Sequence, residues 1–216
     1  MRRSFFAGEK RGILRGITRR FRRIYMILHY GGKYDGNEDT LPHKEHHPNA
    51  VPFEEIGDMK TFALITNIGC IVIMILLAIP FIILGKRFIN CNVIQMMIGG
   101  ALGGLSLLPH ELLHAVCYKK DVYLYHDLTH GLMFVVGTED MSKQHFIFMC
   151  LCPNIILGLI PYIVFLFCPH LVGVGLFGII CIGMGFGDWI NVYSVLKQMP
   201  KNAKTYLCGL NSYWYI

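Results

Sequence analysis

The sequence predicts an all-α membrane protein of about four transmembrane helices, with a small β-hairpin inserted between the second and the third. Three observations lead there. Hydrophobic residues make up 54% of the 216 positions and charged residues only 16%, where a soluble domain carries about 25% charged. Four apolar segments, at approximately 62–84, 93–116, 145–168 and 171–195, each approach the roughly 20 residues that take a helix across a bilayer. The stretch between the second and third, 119–144, is polar. It holds two β-prone runs, Val122–Tyr125 and Leu132–Val136, on either side of Asp127-Leu128-Thr129-His130-Gly131, a hairpin composition.

The N-terminal elements are of a different kind. Residues 1–28 hold nine basic residues against one acid, Glu9, with apolar residues at Ile13, Leu14, Ile17, Phe21, Ile24, Tyr25 and Leu28. That spacing is helical, so the segment is expected either as a basic amphipathic helix on an anionic membrane surface or as a disordered basic tail. It does not resemble a signal peptide, because arginines interrupt its apolar stretch and no small-residue cleavage site follows. Residues 30–60 are polar, rich in Gly, Asn, Asp, Glu and Pro, and read as a linker whose His43, His46 and His47 are solvated. The expected division is therefore 1–60, basic segment and linker, and 61–216, a four-span membrane domain.

Lys and Arg set the orientation. Twelve precede the first span, three lie in 119–144 and three in the tail, while Lys86 and Arg87 alone remain for the outer loops. Both termini are expected in the cytoplasm and the lipid bilayer is the first partner. The net charge of +6 does not indicate nucleic acid, since no basic-aromatic interleaving accompanies it. The eight cysteines show no C-x-x-C spacing, which argues against a zinc ribbon or a disulfide framework. Cys91 and Cys168 are the pair that one membrane face would bring together.

Chemistry concentrates in the second span, at His110-Glu111-Leu112-Leu113-His114. Two histidines four apart project from one helix face and can share a metal. Glu111, about 100° further round, reaches a water at that metal without ligating it. Ionisable residues inside an apolar span face a cavity or a partner. A catalytic zinc takes three protein ligands, and the expected third is Asp188, the sole acid of the fourth span. Counted from Val93 and Leu171, His110 and Asp188 each lie 17 residues in, roughly 25 Å at 1.5 Å per residue. Spans two and four run in the same direction, so both residues fall near the cytoplasmic edge. Gly99/Gly103, Gly100/Gly104 and Gly183/Gly187 have the small-xxx-small spacing that lets membrane helices touch. Pro109 should kink its helix. His126 and His130 are rival third ligands, His145 and His170 read as interfacial, and Asn154 and Asn191 read first as structural hydrogen-bonding residues, with donation to an oxyanion or orientation of a ligand as the alternative.

With these residues placed, the chain resembles the family described as "putative zincin peptidase", a group of small bacterial membrane proteins. The features that carry the resemblance are Ile79-Pro80 ending the first span, the PHELLHA segment at 109–115, and Pro153 early in the third span. Gly187-Asp188, Lys197 with Pro200 and the short aromatic tail complete it, over roughly residues 60–216. The arrangement is also similar to the site-2 proteases, which place an aspartate from a later helix beside H-E-x-x-H. Those enzymes carry it in an Asn-Pro-Asp-Gly-like segment, whereas this chain has Gly187-Asp188-Trp189. The resemblance implies a zinc peptidase in a bacterial plasma membrane, acting on a membrane-protein or peptide substrate. One Zn²⁺ per chain would sit on His110, His114 and Asp188, with Glu111 as the catalytic residue. A membrane protein with a structural or sensory zinc is the alternative. A metal transporter is disfavoured, because no polar path crosses the outer half of the spans.

Overall fold

The computed structural model describes residues 26–54, 59–90, 92–127 and 132–216. The expected N-terminal amphipathic helix, the Cys91–Cys168 pair and His130 therefore lie outside the described residues.

Helix α1 (Met59–Ile89) is apolar around its whole circumference, and Leu64, Ile68, Ile71, Ile75, Ile79 and Ile82 remain exposed. A helix without a polar face and with much of its apolar surface uncovered by protein presents the surface a bilayer solvates. Among the described residues two segments, Thr61–Ile89 and Lys143–Phe167, are long and apolar enough to cross a membrane. The other two expected spans are bent pairs. Helix α2 (Val93–Leu105) meets α3 (Leu107–Val116) at 49°, and α6 (Val172–Met184) meets α7 (Phe186–Gln198) at 48°, so the count is two, or up to four if each pair is one span. The third segment is also composite, with α4 (Lys143–Pro153), a π-helical turn (Asn154–Leu159) and α5 (Ile160–Phe167).

The bends have local causes. Pro109 deprives the Leu105 carbonyl of its in-helix donor and crowds it, and the chain turns at Ser106. The Ser106 N–H bonds to Gly103 O at 3.1 Å, its hydroxyl donates to the same oxygen at 2.6 Å, and its own carbonyl accepts from His110 N at 2.9 Å. The second bend falls at Gly185. Helices α2 and α6 pack backbone to backbone, since any Cβ on Gly99 would run into Gly173 O and any on Gly173 into Gln95 O. The glycine expectation is corrected on one side: Gly183 faces Met74 and Cys70 of α1, and Gly187 faces Thr66, so Gly173 is the close-approach residue of the fourth segment. A residue without a side chain is required wherever the partner offers backbone.

Two small sheets lie beside the helices. The first has the order β1 (Ile27–Lys33), β3 (Asp121–Asp127), β4 (Leu132–Val136), with β1 parallel to β3 and β4 antiparallel. The second has the order β2 (Val51–Pro52), β7 (Asn211–Tyr215), β6 (Lys204–Cys208), β5 (Met141–Ser142), all antiparallel. Residues read as linker thus supply a strand to each sheet. Between those strands Leu41 is buried with Tyr125 and Val136, and Phe53 enters the core beside Ala115, Tyr118 and Phe146. His46 is exposed as expected and His47 is half-buried, yet both pack on the second sheet. His46 packs on Tyr213, His47 stacks on Tyr215 with ring centroids 4.0 Å apart, and Lys44 lies over the Tyr206 ring.

Asp140 ties this strap to the body, accepting from Lys44 Nζ at 2.7 Å and from His47 Nε2 at 3.0 Å. Burial alone would raise its pKa, but the hydrogen bonds and charges of Lys44 and His47 outweigh burial and hold the carboxyl below its usual range. A depressed carboxylate contributes stability above its unfolded pKa, near 3.9, and loses it as pH falls through the folded value. Asp140→Asn should destabilise by about 1 kcal/mol, lowering Tm by about 2–4 °C. Thermal melts in detergent should show that difference at pH 7 and its progressive loss as pH falls below about 4 toward the lower folded pKa. Equal Tm values at pH 7 would rule the tie out.

Candidate metal centre

Helix α3 starts just past the Ser106 bend and carries His110 and His114 on one face, one turn apart. Both are buried, as is Glu111 between them. Helix α7 starts just past the Gly185 bend and carries Asp188 in its first turn, where the helix dipole favours an anion. The two bends bring these turns together. His110 Nε2 is 3.0 Å from Asp188 Oδ2, His114 Nε2 is 3.3 Å from Asp188 Oδ1, and the two Nε2 atoms are 3.2 Å apart. Ligand atoms of Glu111 and the two histidines also lie within 4.8 Å of one another. The four residues singled out from the sequence therefore meet at one place.

The partners behind these side chains orient them. His114 Nδ1 donates to Met149 O at 2.9 Å, which leaves Nε2 as the lone-pair nitrogen turned toward Asp188. Asn154 Nδ2 donates to Asp188 Oδ2 at 2.8 Å. The Val135 N–H, on outer strand β4, donates to the Glu111 carboxylate. Among the rival histidines, His126 is engaged in the first sheet, stacked on Tyr30 with its Nδ1 3.1 Å from the tyrosine hydroxyl. His145 Nε2 donates to Cys117 O at 2.7 Å, and His170 packs edge-on against Phe88. The residue whose place in the site the sequence reading missed is Met149, which acts through its carbonyl, while Asn154, weighed as an orienting residue but read first as structural, finds its partner in Asp188. The available signal was Pro153, which removes a helix donor at this point.

The donor set fits zinc. Tetrahedral zinc with bonds of about 2.0–2.2 Å to His nitrogen and carboxylate oxygen needs ligand atoms roughly 3.3 Å apart, the spacing of these three. Two imidazoles and a carboxylate are borderline-to-hard donors of the kind zinc takes. Three of them buried in an apolar surround are otherwise costly groups.

A cavity of about 580 Å³ opens on this cluster, lined by Glu111, His114 and Asp188 at the helices and by Phe134, Val135 and Val136 of β4. Its remaining wall includes Phe146, Met149, Asn191 and Ser194, with the β6–β7 turn and the exposed Glu38 and Glu54 at the solvent side. Apolar walls with a few convergent polar groups are the usual make-up of a ligand site.

Fold and cluster together describe a mostly helical protein with helices apolar enough to cross a membrane and a His110, Glu111, His114 cluster beside Asp188. Residues 103–204 match the model of the family described as "Putative zincin peptidase", so the resemblance noted in the sequence is met by a family match over the stretch that holds all four residues. No curated protein and no solved structure matches the chain.

If this cluster holds zinc, adding Zn²⁺ to metal-stripped protein should raise Tm by roughly 5–10 °C, from about 2.7 kcal/mol at a hundredfold excess over Kd. His110→Ala should show no such rise. An equal rise in that variant would place the metal elsewhere.

Proposed function

We propose that this chain is a zinc-dependent, membrane-embedded peptidase of site-2-protease-like arrangement, with His110, His114 and Asp188 holding one Zn²⁺ and Glu111 as the catalytic base. The observation that carries the reading is the convergence of two imidazole Nε2 atoms and the Asp188 carboxylate, at 3.0–3.3 Å, on the wall of a cavity that also exposes Glu111. The match to a zincin family supports it, and so do the apolar helices. The distribution of Lys and Arg supports cytoplasmic termini and a site near the cytoplasmic face.

Zinc, when bound, supplies the Lewis acidity that polarises a peptide carbonyl and acidifies water. Glu111, one residue beyond a ligand on the same helix turn, takes the proton of the attacking water and passes it to the leaving amine. The Val135 N–H holds the Glu111 carboxylate against β4. A substrate must be extended for its peptide bond to be attacked. Strand β4 is the outer strand of its sheet and lines the cavity, so its free edge is suited to receive such a segment by strand addition. Asp188 and the histidines keep their orientation through the partners described above, and the apolar wall of Phe134, Phe146 and Met149 limits access of bulk water.

Glu111→Gln should retain zinc and lose activity on a membrane-protein or peptide substrate by at least about a hundredfold. Continued cleavage by that variant would end the mechanism. Zinc bound by four protein ligands with no open position, in a protein that cleaves no substrate, would favour the alternative, a structural or sensory zinc. Metal analysis of His110→Ala and Asp188→Ala tests the ligands, with loss of zinc expected in both. Zinc retained in Asp188→Ala would remove the aspartate from the site.

A further inference from the structure

The third apolar segment breaks at Pro153-Asn154, and a ligand from each side of the site bonds to the break. In an unbroken α-helix the Met149 carbonyl accepts the N–H of residue 153 and the Cys150 carbonyl accepts that of residue 154. Pro153 has no N–H, and the Asn154 N–H goes to Leu151 O instead. Two successive carbonyls are left without their in-helix donors. Met149 O takes His114 Nδ1 at 2.9 Å, and Cys150 O takes Asn154 Nδ2 at 3.3 Å. The other hydrogen of that amide goes to Asp188 Oδ2 at 2.8 Å. The turn that follows, Asn154–Leu159, is wound as a π-helix, a form that occurs mostly as single turns and often at functional sites.

Chemistry settles which way the Asn154 amide faces. The Cys150 carbonyl and the Asp188 carboxylate only accept, so both claim the nitrogen and the oxygen is turned away. Asn154 is 1% exposed, and its Oδ1 has no hydrogen-bond partner among the described residues, whereas buried carboxamide oxygens are ordinarily paired. That oxygen faces Gly185, where any Cβ would overlap it. Gly185 is also the bend from which α7 starts, three residues before Asp188. Its φ of −80° is one that alanine adopts freely, so the glycine is required by space and not by backbone conformation.

We propose that Pro153 and Asn154, with the space left at Gly185, form the positioning element of the metal site. Pro153 frees the carbonyl that fixes the His114 tautomer, and Asn154 fixes the Asp188 carboxylate. Neither touches the reacting atoms. The proposal rests on the reading of His114 and Asp188 as metal ligands.

The test is a Zn²⁺ titration of metal-stripped, detergent-solubilised full-length protein against a chromophoric chelator, with melts of the metal-free forms run beside it. Partners that orient ligands typically account for 10–100-fold in metal affinity. Asn154→Ala, Pro153→Ala and Gly185→Ala should each weaken zinc within that range, by far more than any change in metal-free Tm accounts for. Asn154→Leu, near in volume and without a donor, should behave as Asn154→Ala and guards against loss of packing as the cause. The decisive arm is a double-mutant cycle. Gly185→Ala acts by displacing the Asn154 amide, so in the Asn154→Ala background it should weaken zinc no further. Additive effects at the two positions, or wild-type affinity in the Asn154 variants, would overturn the proposal. Asp188→Ala separates the two levels. If it loses zinc while the Asn154 variants keep it, the positioning role alone fails. If it keeps zinc, the ligand reading fails and the proposal with it.

Discussion

An unpaired ion buried among apolar helices costs several kcal/mol, and this chain buries two imidazoles and two carboxyl groups side by side. The fold meets that constraint by withdrawing hydrogen-bonding groups from helix interiors and handing them to the site. The Met149 carbonyl is available to His114 because Pro153 cannot occupy it. The Val135 amide is available to Glu111 because β4 lies at the edge of its sheet. Each donation requires an irregularity in an otherwise regular element. The proline, the π-helical turn and the outer strand are consequences of placing polar chemistry at this depth.

The same requirement explains the bent segments. A straight helix through residues 93–116 and another through 172–198 would carry His110 and Asp188 along fixed axes. The bends of 49° and 48° let α2 and α6 pack backbone to backbone at Gly99 and Gly173, while α3 and α7 leave room for the 580 Å³ cavity. Close contact on one side of the bends and open space on the other are difficult to combine in one pair of straight rods. The two sheets then wall the open end.

Much of the site was legible in the sequence. The i, i+4 histidines, the glutamate between them and the depth-matched aspartate need only helical geometry and a count of residues, and the structure brings these four together. The apolar segments were legible too, although two of them are bent. Pro109 pointed to one bend, whereas Gly185 gave no comparable signal. The strap was not legible. His46 and Tyr206 are 160 positions apart, and a polar stretch becomes strand only because β3 and β7 offer unpaired edges, a tertiary effect that strand propensity does not carry. The tail had a recognisable pattern, with aromatic and β-branched residues on both sides of Gly209 at φ 62°. It reads as a short tail until a partner strand is known. Asn154 was visible as a polar residue, but its neighbour is 34 positions away.

The pairing of β2 with β7 joins residues 51–52 to residues 213–214. The second sheet therefore closes only when segments about 160 positions apart meet. Asp188 and the turn at 209–212 that lines the cavity also lie far along the chain from the helix bearing His110, Glu111 and His114. Non-local closure of this kind is slow relative to helix formation. During that interval the helix bearing His110, Glu111 and His114 exists without its aspartate and without a walled cavity. The cavity and the His110, Glu111, His114 and Asp188 cluster are thus completed by contacts between distant parts of the chain, not by any one local element.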